Sequence, residues 1–378
     1  ADETKNGGAP SLPGESDSRH AARCRRCFET IGIREMNTTM GESLEYSVKS
    51  AMRAGQWEEV RHLAQQWSLQ PECGPQPYFA LKVVFLLRGD FLEAWQVFPR
   101  ALAEPSDKEK VGDWVTRLQK EFPEEPSILL VQGVFDTQCG KLEDAIAVFE
   151  RVVSLLPQSP YPHFFLAQIH HRQERLDKAV KAYREAVKRD ASYVAARLKL
   201  GLVYQELGQL EMAIPQYREV LKIRPDEITG HTNLACALAE QGKLDSGIEE
   251  YKKALLIKPD DAEVHFALGG LYENKGRRDL AKRQYEEALR LNPDLGPAAT
   301  ALGWFSYEKG QMDFALDYFS QALKANPDDA QATFGVGRVY EEKRKPEMAV
   351  QHYQRALTLE KDPNRKHRIL NFMDKLFG

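Results

Sequence analysis

At 378 residues the chain is long enough for two or three compact domains or for one extended repeat array. With 42% hydrophobic and 29% charged residues it can bury a core, and a net charge of −4 excludes a global electrostatic grip on nucleic acid. The longest apolar run, 77–87, carries Lys82 and is about half the ~20 residues of a membrane helix, so no transmembrane segment is expected.

Residues 1–40 read as a flexible basic N-terminal tail. Gly, Pro and Ser dominate as far as Ser18, and Arg19, Arg23, Arg25, Arg26 and Arg34 follow. Ala1 reads as a processed or trimmed end, which leaves the compartment open between the cytoplasm and a periplasmic or organellar space. Cys24-Arg-Arg-Cys27 lacks the following histidine of a covalent haem site, since Phe28 stands there. With His20 it offers three zinc ligands, one short of a structural set. An incidental pair, a local disulfide and a metal half-site remain open.

Residues 41–108 read as two degenerate helical repeats. In 41–74, Gly55 precedes a second helix with Trp57, Leu63 and Trp67 on its apolar face. In 75–108, Gly89, Ala94, Phe98 and Ala101 keep the matching offsets despite Pro99. Residues 109–125 read as one inserted helix, with Val111, Trp114, Val115 and Leu118 at helical spacing.

From residue 126 a period of 34 sets in and holds through seven units, 126–363. Gly208, Gly242, Gly276 and Gly310 are one period apart, and Gly140 lies two periods before Gly208. Ala145, Ala179, Ala213, Gly247, Ala281, Ala315 and Ala349 keep the step, as do Phe149, Tyr183, Tyr217, Tyr251, Tyr285, Phe319 and Tyr353. A small residue early in the second helix admits the first helix closely, and four residues later a ring fills the space between units. Pro157, Pro225, Pro259, Pro293 and Pro327 stop helix continuation and turn the chain into the next unit. Gly247 is expected to weaken its helix slightly and Pro215 to bend its own. Residues 364–378 form a C-terminal capping helix, because a terminal repeat leaves an apolar face to cover.

These positions together resemble the tetratricopeptide repeat (TPR) family. The resemblance implies an all-α, right-handed α-solenoid (superhelix) of 34-residue helix-turn-helix repeats. It also implies that places 2, 5, 9 and 12 of each unit, counted from its first residue, line a concave groove. Here those places include Tyr161, Phe164, Gln168 and His171, then Leu198, Leu202 and Gln205, then Thr232 and Cys236. Phe266 and Glu273, Trp304 and Tyr307, and Phe334, Arg338 and Glu341 complete the set. Family members that clamp the C-terminal carboxylate of chaperones carry lysine and asparagine at places 5 and 9. Leu130 and Val134, Phe164 and Gln168, Leu198 and Leu202, and Thr232 and Cys236 stand there instead. An asparagine ladder at place 6 is reduced to Asn233.

No phosphate loop, nucleotide fingerprint or nucleophile elbow occurs, and no cofactor is implied. His163 and His170 share a helical face without a third ligand nearby in sequence, which favours groove or packing roles. The expected function is a non-catalytic interaction scaffold or assembly factor in a multiprotein complex. Its partners would be protein or peptide segments, an apolar helix or an extended strand. Two alternatives are a targeting or regulatory subunit of a separate enzyme and an exported repeat protein of a bacterial envelope complex.

Overall fold

The computed structural model describes residues 33–70, 73–88, 102 and 104–377. Cys24, Cys27 and the arginines from Arg19 to Arg26 lie outside the described residues, as do Gly89, Ala94, Phe98, Pro99 and Ala101. The described residues hold nineteen helices and no strand. Backbone contacts divide the chain into two compact units, 1–195 and 196–378.

In the first unit the described helices are α1 (Ile33–Arg53), α2 (Trp57–Ser68), α3 (Gln76–Arg88), α4 (Pro105–Glu121), α5 (Pro126–Gln138), α6 (Leu142–Leu155), α7 (Tyr161–Arg172) and α8 (Leu176–Arg189). Each packs against the next. Helix α4 occupies the region expected to hold an extra helix and starts four residues earlier than 109. It buries Val111, Trp114, Val115 and Leu118, and the Trp114 ring lies 6.2 Å from that of Trp67.

The boundary falls at the start of α9 (Val194–Glu206). The second unit continues with α10 (Leu210–Ile223), α11 (Ile228–Glu240), α12 (Leu244–Ile257), α13 (Ala262–Asn274), α14 (Arg278–Leu291), α15 (Gly296–Glu308), α16 (Met312–Ala325), α17 (Ala330–Glu342), α18 (Pro346–Leu359) and α19 (Pro363–Phe377). From α10 onward each helix again packs on the next, which makes the unit a run of helix pairs. Pro215 sits inside α10, which continues through it to Ile223.

One turn recurs between the first and second helix of a repeat. In 262–295 the N–H of Arg277 bonds back to the Tyr272 carbonyl and that of Gly276 to Glu273, with Gly276 left-handed at φ 69°. That is a glycine-terminated helix end, in which the left-handed residue redirects the chain and satisfies two carbonyls. Two repeats build the same turn without glycine, using Glu174 (φ 57°) and Arg344 (φ 55°) at place 15.

The core follows from the small and aromatic places. The ring at place 24 lies on place 8 of its own first helix, where glycine stands in five repeats. A Cβ on Gly269 would stand 2.6 Å from the Tyr285 ring, and one on Gly303 as close to Phe319. Tyr183, Tyr217, Tyr285, Phe319 and Tyr353 are all buried. At the C-terminus, Ile369, Phe372, Met373 and Leu376 of α19 join the cluster of Phe334, Ala349 and Tyr353.

Candidate functional site

Every first helix presents places 5, 9 and 12 on one face, since residues three and four apart are neighbours on a helix. In the first unit this face holds Tyr161, Phe164, Gln168 and His171 on α7. Phe164 is fully buried, against Phe165, Tyr183 and Tyr193 at 5.5, 5.9 and 5.1 Å. Tyr161 is half-buried and edge-on to Tyr193 at 5.7 Å; Gln168 and His171 are also half-buried. Burial holds the imidazoles of His163 and His170 below their usual pKa, aided by Arg189 at the first and Lys178 at the second. Among the described residues no group of three or more His, Cys, Asp or Glu side chains is arranged to hold a metal ion.

In the second unit Leu202, Gln205, Thr232, Cys236, Phe266, Trp304, Tyr307, Arg338 and Glu341 are half-buried, and Glu273 is exposed. Leu198 and Phe334 are buried. Phe334 lies between Tyr353 at 5.4 Å, Phe372 at 5.6 Å and Trp304 at 5.8 Å. Phe164, Leu198 and Phe334, expected on an open groove, are therefore core residues. A place-5 ring reaches the place-24 ring of its own repeat: Phe266 lies 5.5 Å from Tyr285 and Phe334 as near to Tyr353.

Place 12 serves the same tyrosines. Tyr285 donates to Glu273 at 2.7 Å, Tyr353 to Glu341 at 2.5 Å and Tyr217 to Gln205 at 3.1 Å. Where place 24 is Phe319, the place-12 residue is Tyr307, whose hydroxyl instead donates to Glu342 and accepts from Arg338. Burial, together with the Glu273 carboxylate, pushes the Tyr285 phenol well above its ordinary pKa. The guanidinium of Arg338 lies 3.9 Å over Phe372 of α19 and 3.6 Å from Glu341. Thus α19 engages places 5 and 9 of the final repeat.

Sequence reading missed three features. Helices α9, α11, α15 and α17 each end on a glutamate: Glu206, Glu240, Glu308 and Glu342. Carboxylates are unfavourable there because the helix C-terminus already carries negative partial charge. Links between consecutive repeats recur at a spacing of thirty residues: Gln241 with Glu211, Lys275 with Asp245, Arg278 with Glu308 and Lys343 with Asp313. Finally, place 19 holds exposed Met212, Leu280, Phe314 and Met348, with Phe314 62% exposed. A self-comparison of the units at place 19 would have found this last row.

Tetratricopeptide repeat signatures match 168–208 with 235–276 ("TPR repeat"), and 194–227, 262–295 and 300–365 ("Tetratricopeptide repeat"). The chain belongs to the tetratricopeptide repeat family. A TPR protein structure from Parabacteroides merdae aligns with 66% of this chain and 98% of that chain, at 15% identity and a TM-score of 0.52. A crystal structure of the APC/C hetero-tetramer Cut9–Hcn1 aligns with 87% of this chain and 61% of that chain, at 17% identity and the same TM-score of 0.52. At such identities the likeness concerns the fold alone. No curated protein matches significantly in sequence. TPR proteins are protein-interaction modules, generally without catalytic activity, and this chain is a scaffold for binding protein or peptide. Among the described residues no helix is long and apolar enough to cross a membrane.

Proposed function

We propose that the first-helix face of the second unit is a groove that holds a segment of a partner protein. The chain then acts as a non-catalytic scaffold or assembly factor in a multiprotein complex. The observation that supports this is the run of half-buried Leu202, Cys236, Phe266 and Trp304 at places 5 and 9 of successive repeats. Apolar side chains aligned on one partly open face are the kind of surface a partner covers.

The test starts with affinity purification and mass spectrometry to identify the partner, followed by measured affinities for single variants. Phe266→Ala and Trp304→Ala should each weaken binding by ~2 kcal/mol or more, about thirtyfold. Both should lose less stability than Tyr217→Ala and Tyr251→Ala, core truncations that cost about 3–5 kcal/mol. Equal affinity in wild type and both groove variants would sink the reading. A loss confined to Phe314→Ser would move the interaction to the exposed place-19 row.

A further inference from the structure

We infer that Gly270 opens a pocket in this groove for the side chain of an arginine carried by the bound segment; the inference rests on the groove reading above. Gly269 and Gly270 are adjacent on α13 and have opposite surroundings. A Cβ on Gly269 would collide with the Tyr285 ring at 2.6 Å, so packing demands that glycine. A Cβ on Gly270 would meet only the Tyr285 hydroxyl, at 3.8 Å. Neither packing nor a left-handed backbone requires glycine there, and a mid-helix glycine costs about 0.5–1 kcal/mol relative to alanine. At place 9 the other repeats of the unit carry Leu202, Cys236, Trp304 and Arg338, all larger.

The final repeat shows what fits. Repeats 262–295 and 330–363 share phenylalanine at place 5 (Phe266, Phe334), glutamate at place 12 (Glu273, Glu341) and tyrosine at place 24 (Tyr285, Tyr353). In both, the ring pair is about equally spaced and the tyrosine hydroxyl holds the glutamate. They differ at place 9. In the final repeat Arg338 stands there, its guanidinium 3.6 Å from Glu341. In 262–295 the same position is Gly270, and Glu273 makes no ion pair among the described residues. Phe266, Gly270 and Glu273 share one helix face by their spacing. That face offers a ring for an aliphatic stem and a fixed carboxylate for a planar cation, the geometry that arginine satisfies best.

The test selects binders from a random peptide library on the full chain and measures their affinities one by one. Recovered peptides should share an arginine whose replacement by leucine weakens binding about tenfold or more, with lysine between the two. Gly270→Arg supplies the guanidinium from the chain itself and should release these peptides about tenfold, at an unchanged or higher melting temperature. Gly270→Ala guards against a folding defect, since its added methyl has room and favours the helix. Glu273→Gln should shrink the arginine-to-leucine difference to about threefold or less. Suppose arginine-free peptides bind, ignore Gly270→Arg and are released by Trp304→Ala; the pocket is then wrong and the groove stands. Peptides indifferent to both Gly270→Arg and Trp304→Ala, or a library that yields no binder, overturn the groove and the pocket with it.

Discussion

The carbonyl oxygen of Ala235 lies 2.9 Å from the point where a Cβ on Gly247 would stand, and the Leu271 side chain 3.1 Å from it. Helices α11 and α12 therefore leave no free space for a side chain at this point. Gly247→Ala removes a mid-helix glycine, a gain of about 0.5–1 kcal/mol, but pushes a methyl against backbone. Overpacking of this kind costs about 1–3 kcal/mol. The expected outcome is a net loss of about 1 kcal/mol, read as a lower urea midpoint at constant slope. An increase would show that α11 and α12 can separate freely.

Glu174 and Arg344 hold left-handed backbone where other repeats use glycine. A side chain in that conformation costs about 1–2 kcal/mol. Glu174→Gly and Arg344→Gly should therefore stabilise by about 1 kcal/mol each, after the extra freedom of glycine in the unfolded chain is deducted. Being in different units, the two gains should add. Melting curves of the single and double variants decide it.

Lys82 is 4% exposed and donates to Gln138 Oε1 at 2.8 Å. Burial brings its ammonium down from 10.5 to about 8. The folded state therefore sheds this proton first, and between pH 8 and 10 the unfolded chain binds more protons. Stability should rise across that window by about 1 kcal/mol per pH unit from this group. Above pH 10 the raised phenols of Tyr217 and Tyr285 act in the opposite sense, because unfolded tyrosines ionise first. Lys82→Met should flatten the rise between pH 8 and 10 in denaturant titrations; an unchanged slope refutes the assignment.

Arg338 joins α17 to α19 through the Phe372 ring and to α15 through the Tyr307 hydroxyl, which its Nη2 reaches at 2.6 Å. Arg338→Ala should cost about 1–2 kcal/mol and speed hydrogen exchange in 363–377 before the rest of the unit. Arg338→Lys keeps the charge but not the flat stack, so it should recover only part of the loss. Uniform exchange across the unit would contradict this local role.

Much of the fold was legible because the repeat is written in steric exclusions. The Tyr285 ring excludes a Cβ at Gly269, and glycine recurs at that place in five repeats. The site was less legible. Whether a place-5 ring faces a groove depends on what the next element lays over it, and for Phe334 that element is α19, outside the repeat. Gly247 looked like a weakened alanine because its reason, the Ala235 carbonyl, is a tertiary contact. Lys275 and Asp245 gave no signal in sequence, since surface charges have many satisfactory partners at many spacings.

The thirty-residue links also have a direction. Asp245 with Lys275 and Asp313 with Lys343 set the anion on the earlier repeat, whereas Arg278 with Glu308 sets the cation there. Units alike in backbone are therefore not interchangeable in order. A chimaera with 228–261 copied over 262–295 would set Leu244 in place of Arg278, leaving Glu308 at its helix end without this cation. Duplication can lengthen such an array only where the copied edge finds the charge it expects, so the sequence of polarities fixes which neighbour each repeat accepts.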